Sequence, residues 1–200
     1  MRDYRIVWSG PDSILDKSTP VSAAAMALLS HMAASGHEVT VVGATVSSRD
    51  APSVILEQIL ERISEVEGNA VSLRDRDIQH QLVRTKSTLR NAMTNREQTL
   101  WFANYTKVLS QVRPDLVMLH GDRVPERLAA REAELRGIPT AALLGVGTET
   151  TLPVDAALHV PAESLEQILG ILEPLFSMRS GDQDQQRALR DSHLLLNRAN

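Results

Sequence analysis

The stretch PVSAAAMALLSHMAASGHEVTVVGA, residues 20–44, decides the fold. Apolar residues recur at helical spacing from Val21 to Met32, and the proline at the start suits the first turn of a helix. Gly36 is a natural helix end, and the β-rich run HEVTVVGA follows at once. So short a link between helix and strand is typical of a βαβ unit, in which a helix crosses between parallel strands.

The same alternation continues on both sides of this stretch. Further strands are predicted over 4–10, 70–73, 115–122, 140–145 and 156–161, and further helices over 51–66, 99–112, 125–137 and 162–176. The polar segment 74–96 is either a long loop or an exposed helix pair. The pattern predicts a single three-layer α/β domain over residues 1–178, doubly wound and Rossmann-like around a mainly parallel sheet. A polar link and a C-terminal helix are expected over 179–200.

The composition excludes several functional classes. The chain has 200 residues, 42% of them hydrophobic and 23% charged, as in ordinary globular domains. A net charge of −4 argues against general binding to a phosphate backbone, so nucleic acid is not an expected partner unless the chain is ribosomal. Without cysteine there is no disulfide, thiolate metal site or cysteine nucleophile. No signal peptide or membrane span is evident, and a cytoplasmic protein is expected.

Ligands of doubly wound sheets bind at the carboxyl ends of the strands, where the strand order reverses. Four strand ends qualify, each polar or glycine-containing. They are Ser9–Gly10, Gly43–Ser48, His120–Arg123 and Gly145–Thr150. We therefore expect Gly10 to belong to the ligand site.

The tip His120-Gly121-Asp122-Arg123 is the main candidate. A carboxylate beside a guanidinium can orient sugar hydroxyls or a phosphate, and a histidine can transfer protons near neutral pH. We assign Asp122 and His120 as catalytic candidates and Gly121 and Arg123 as ligand-binding candidates. The alternative is that Asp122 caps the next helix and Arg123 is merely solvated.

Two further tips supply candidates for binding. Ser47 and Ser48 precede a predicted helix, a setting that binds phosphate, although a plain helix cap is the alternative. Glu149 lies in a polar loop and could bind a hydroxyl, or belong to a surface turn. The six histidines show no metal-ligand spacing, so neither a metal nor a cofactor is predicted.

The segments ALLSHMAASGHEVTVVGA, TKVLSQVRPDLVMLHGD and GIPTAALLG together resemble the N-terminal domain of GT-B-type sugar-nucleotide enzymes. Both the glycosyltransferase family 4-like domain and the UDP-N-acetylglucosamine 2-epimerases fit. In the epimerases a similar strand end supplies an acidic residue to the active site, which implies that role for Asp122. The resemblance implies a sugar or nucleotide-sugar ligand. The second domain that binds the nucleotide in GT-B enzymes does not fit after residue 155, which implies an incomplete catalyst that works with a partner subunit or as a homo-oligomer.

Two other families are similar over parts of the chain. SIS-type sugar-phosphate isomerases resemble it around GATVSSRDA, with Ser47 in the phosphate loop and Glu57 on the helix. Leu172 stands where their catalytic histidine would be, so such a protein would bind a sugar phosphate without isomerising it. The second small-subunit ribosomal protein family is similar over 127–139 and 13–20. A first strand at 4–10 inside the sheet would favour GT-B over SIS.

Overall fold

The computed structural model of the chain describes residues 3–10, 14–16, 20–46, 63–67, 70–85, 94–121, 124–145, 148–160 and 166–176. In chain order the strands are β1 (Arg5–Ser9), β2 (Glu38–Val46), β3 (Ile63–Glu67), β4 (Ala70–Asp75), β5 (Ile78–Thr85), β6 (Leu116–His120), β7 (Thr140–Gly145) and β8 (Ala156–Val160). The helices are α1 (Pro20–Ala34), α2 (Asn95–Val112), α3 (Val124–Leu135) and α4 (166–176), with a 3-10 turn at Ile14–Asp16.

The eight strands form one sheet in the order β3-β4-β5-β2-β1-β6-β7-β8. From β5 to β8 every neighbouring pair is parallel, whereas β4 runs antiparallel to both β3 and β5. The predicted doubly wound, mainly parallel sheet is therefore confirmed. Strand β1 lies inside it, between β2 and β6, which is the placement that favours GT-B over SIS.

Helices cover both faces of the sheet, so its central strands are buried on both sides. On one face α1 and α4 pack over alternate residues of the strands, among them Ile6, Trp8 and Met118. On the other face α2 and α3 pack over the intervening residues, such as Val7 and Val117. This arrangement is the three-layer architecture that the near-continuous apolar strands predict.

Local signals explain the element boundaries. Helix α1 ends where Gly36 takes a φ of +96°, a left-handed conformation that favours glycine, and the N–H of His37 donates to the carbonyl of Met32 at 3.1 Å. Helix α2 begins at a capping box in which Thr94 accepts from the backbone N–H of Glu97 and the Glu97 carboxylate accepts from the Thr94 N–H. The helix thus starts earlier than the predicted residue 99.

Two predictions on the β3–β5 side of the sheet are wrong. Residues 63–66, predicted to continue a helix, lie in β3, and residues 51–62 of that helix lie outside the described residues. Segment 74–96, predicted as a long loop or an exposed helix pair, contains all of β5. Its partner strands impose the extended conformation, because Ile78, His80 and Leu82 alternate into the core while the glutamines between them stay partly exposed. The predicted C-terminal link and helix lie outside the described residues.

Candidate functional site

The site candidate is the crevice at the carboxyl ends of β1 and β6. Within the sheet, β2 lies on one side of β1 and β6 lies on the other. Helix α1, which follows β1, and helix α2, which precedes β6, lie on opposite faces of the sheet, and in doubly wound sheets a ligand crevice is expected between two such strand ends. Ser9 pairs with Leu119, which places Gly10 beside His120. Two of the four predicted tips are thereby brought together.

On the α1 face, Gly10 lies between two aromatic side chains. The indole of Trp8 and the imidazole of His120 are 5.7 Å apart between ring centroids and tilted by 47°. A Cβ added to Gly10 would lie 3.4 Å from Cβ of His120 and 3.7 Å from Nε1 of Trp8. A side chain at residue 10 would therefore contact both rings, and Gly10 itself is buried at the strand end, where its N–H donates to the carbonyl of Val42 at 3.1 Å.

The end of β1 also carries two buried polar atoms without hydrogen-bond partners among the described residues. They are Nε1 of Trp8 and Oγ of Ser9, and both residues are fully buried. Because successive strand residues face opposite sides of a sheet, these atoms lie one on each face. Leaving such a group unsatisfied costs about 1–3 kcal/mol, which a ligand that binds it would recover. Sequence reasoning named the Ser9–Gly10 tip but assigned only Gly10 to the site, and it missed Trp8.

The end of β6 turns sharply over a buried carboxylate. Gly121 has a φ of +93°, and a Cβ there would lie 3.1 Å from Oε1 of Glu126. Glu126 is fully buried in the first turn of α3, where a negative charge is favoured by the helix dipole. Both the backbone conformation and the carboxylate therefore require glycine at 121. Glu126 was not predicted as part of this tip, although a glutamate just after a proline at a helix start could have indicated it.

The end of β7 lies on the same edge, beside the start of α1. The N–H of Thr148 donates to the carbonyl of Gly145 at 3.1 Å. A Cβ on Gly145 would lie 3.5 Å from Oγ1 of Thr148 and 3.6 Å from Cγ2 of Val21. The loop thus folds back over the strand end, and Glu149, the next residue, is exposed.

Four of the predicted site residues lie outside the described part of the chain. In the sequence Ser47 and Ser48 come directly after β2, and Asp122 and Arg123 come between Gly121 and α3. Their assigned roles stay predictions. Of the remaining candidates, Gly10, His120 and Gly121 lie together at the crevice, and Glu149 lies on the edge at the end of β7.

Two other groups of residues contribute to the core and not to this edge. Trp101 and Tyr105 on α2 are fully buried and stack with an interplanar angle of 1°, so the aromatic side chains of this helix pack in the core. His80 lies within β5, two strands from β1, and burial lowers its pKa to about 4, against a smaller opposing effect of Asp75. In the part of the chain described, no cluster of acidic residues and histidines is placed to hold a metal ion. No described helix is long and apolar enough to span a membrane.

No protein family model matches the sequence, and no curated protein matches it. Solved structures match the fold. The catalytic domain of starch synthase IV from Arabidopsis thaliana, bound to ADP and acarbose, is 12% identical over 72% of this chain and 34% of that chain, with a TM-score of 0.49. A putative UDP-N-acetylglucosamine 2-epimerase from Listeria monocytogenes is 17% identical over 72% of this chain and 32% of that chain, with a TM-score of 0.41.

The FeoB G-domain from Methanococcus jannaschii also matches, at 12% identity over 88% of this chain and 99% of that chain, with a TM-score of 0.40. The fold resembles one Rossmann-like domain of GT-B glycosyltransferases and epimerases, as the sequence resemblance implied. This chain spans about a third of the length of the starch synthase and epimerase chains. At these identities the likeness concerns the fold alone.

Proposed function

We propose that this domain binds a sugar or nucleotide sugar in the crevice at the ends of β1 and β6, as one half of a GT-B-type enzyme. The observation that carries the proposal is the buried indole N–H of Trp8, which has no acceptor among the described residues and lies beside Gly10 at the end of β1. A hydroxyl or phosphate oxygen seated at Gly10 would satisfy this donor. The resemblance of the HGD strand end supports the ligand class.

The residues at the crevice divide into two roles. Gly10 and Gly121 lie at the strand ends where the ligand binds, while the imidazole of His120, which forms one wall, transfers a proton to or from a sugar hydroxyl. Asp122, next along the chain from Gly121, acts as the acidic catalytic group. Arg123 pairs with the ligand's negative charge.

The neighbouring strand ends complete the binding surface. Ser47 and Ser48 after β2 supply hydroxyls for a phosphate, and Glu149 after β7 accepts from sugar hydroxyls at the rim. Catalysis requires a second domain, because a GT-B site lies between two domains. The isolated chain binds ligand and turns it over slowly or not at all.

Calorimetric titration of the full chain tests the proposal, with ADP-glucose, UDP-N-acetylglucosamine and glucose 6-phosphate as probes. Trp8→Phe removes the indole N–H while keeping an aromatic ring, and should weaken binding roughly threefold to tenfold. Trp101→Phe is the matched control, since Trp101 is also fully buried with an unpartnered Nε1 but lies on α2. The Trp101→Phe variant should bind the probes with the same affinity as the wild type.

Three outcomes count against the proposal. If none of the three probes binds, the assigned ligand class is wrong. If Trp8→Phe and Trp101→Phe weaken binding equally, the crevice is not the site. Binding of glucose 6-phosphate alone would favour the SIS-type sugar-phosphate alternative over a nucleotide-sugar domain.

A further inference from the structure

The outer surface of α3 carries an apolar stripe that the described part of the chain leaves exposed. In the part of the chain described, large aliphatic side chains are substantially exposed at four positions. They are Val124 (56% exposed), Leu128 (41%), Leu135 (68%) and Ile171 (38%). The first three lie on α3, within an arc of about 40° at 100° per residue. The helix buries its opposite side, including Ala129, Ala130 and Ala133, against the sheet.

The α3 crest comprises Val124, Leu128, Arg131 and Leu135, and its spacing reads the same in both directions. The intervals along the chain are four, three and four residues, as in the seam of a coiled coil. If a second copy of α3 lay antiparallel across it, Val124 would face Leu135 of that copy, and Leu128 would face Arg131. The arginine stem is apolar and can cover leucine while its guanidinium stays in water. A self-complementary pattern of this kind fits a two-fold interface.

The charges along one flank of the crest are self-complementary as well. At 100° per residue Arg127 and Glu134 fall on the same flank of the crest, whereas Arg136, on the other flank, bonds to Ser110 of α2. Within its own helix Glu134 forms an ion pair with Arg131 at 2.6 Å, so the partner's Arg127 would join an existing pair. In a two-fold antiparallel pair, equal flanks meet. Arg127 of each copy would then lie near Glu134 of the other, so that two opposite-charge pairs would form.

We propose that the α3 crest is a homodimer interface, in which two copies of this chain pair through antiparallel α3 helices. The crest is a single helix surface about 16 Å long. Its contact area is therefore well below the roughly 800 Å² per partner that a standard interface buries. Association is therefore weak and concentration-dependent. The proposal does not depend on the ligand assigned to the crevice.

Sedimentation equilibrium of the full chain from about 5 μM to 1 mM tests the proposal. The wild type should pass from monomer to dimer over this range, and Leu135→Glu should weaken the association at least tenfold. Ile171→Glu is the matched control, because Ile171 is an exposed aliphatic residue on α4, at the opposite face of the sheet. It should associate as the wild type does. If the wild type stays monomeric at 1 mM, the proposed homodimer interface is wrong.

A charge exchange identifies the orientation. Arg127→Glu alone creates two acidic pairs across the interface, and Glu134→Arg alone creates two basic pairs, so each variant should dimerise several-fold less than the wild type. An equimolar mixture of the two variants restores opposite charges at both contacts, and should recover association to within about twofold of the wild type. If the mixture associates no better than the separate variants, the antiparallel α3 pairing is wrong.

Discussion

His80 offers a direct test of how the sheet is packed. Its imidazole is fully buried in β5, next to Val41 of β2 and Leu73 of β4, and in the described part of the chain neither ring nitrogen has a hydrogen-bond partner. Burial lowers its pKa from 6.5 to about 4, because a charged imidazolium would lose its hydration. The unfolded chain keeps an ordinary pKa near 6.5, and therefore binds the proton first as the pH falls.

The sign and size of the pH effect follow from this difference. The neutral form contributes fully to stability above pH 6.5, and stability is lost as the pH falls from about 6.5 to about 4. For these two pKa values the loss between pH 7.5 and pH 5 is about 2 kcal/mol in the free energy of unfolding. Carboxylates also titrate in this range, so the quantity of interest is the difference between the wild type and a variant that lacks the imidazole.

Two substitutions of His80 separate the effect of proton binding on stability from the effect of burying an unsatisfied polar group. His80→Leu removes both the proton-binding group and the unsatisfied nitrogens, and at pH 7.5 it should be neutral or stabilising by up to about 2 kcal/mol. His80→Gln removes titration but keeps a buried amide, and should be less stable than His80→Leu by about 1–3 kcal/mol. Both should be less sensitive to acid than the wild type, by about 2 kcal/mol between pH 7.5 and pH 5.

Urea unfolding followed by tryptophan fluorescence at several pH values between 7.5 and 4.5 measures these quantities, since Trp8 and Trp101 are both fully buried. Equal loss of stability with pH in the wild type and in both variants would refute the placement of a neutral histidine in the core. If His80→Leu were strongly destabilising at pH 7.5, the imidazole would have a hydrogen bond in solution and the packing described around it would be wrong.

Two smaller predictions concern α2. Thr94→Ala removes the capping box with Glu97 and should lower the free energy of unfolding by about 1 kcal/mol, measured by urea unfolding, with Thr99→Ala on the same helix as the control. A change of less than a few tenths of a kcal/mol would contradict the cap. Tyr105→Phe removes the buried hydroxyl that donates to the Ala129 carbonyl at 3.0 Å, and should cost about 0.5–1.5 kcal/mol in the same measurement. An unchanged midpoint would show that this bond between α2 and α3 is not formed.

Local patterns were sufficient to predict most of the fold. The helical spacing that ends at Gly36 and the β-rich run after it place α1 and β2 within a residue or two of their observed bounds, because caps and turns depend on neighbouring residues. The predicted run 140–145 matches β7 throughout. The wrong predictions concern segments whose extended conformation depends on pairing with strands elsewhere in the chain. Strand β5 is polar in sequence and extended only because β2 and β4 bond to it on either side.

The same division holds for the candidate site. The sequence by itself determined that strands and helices alternate, and that polar and glycine-containing tips therefore gather at one edge of a parallel sheet. Which tips meet depends on strand order, and only the tertiary structure decided that Gly10 lies beside His120. It also decided that Trp8 and Ser9 end in buried, unpartnered polar atoms and that Glu126 is buried under Gly121. Burial and hydrogen-bond satisfaction are set by neighbours far away along the chain, which local sequence patterns do not specify.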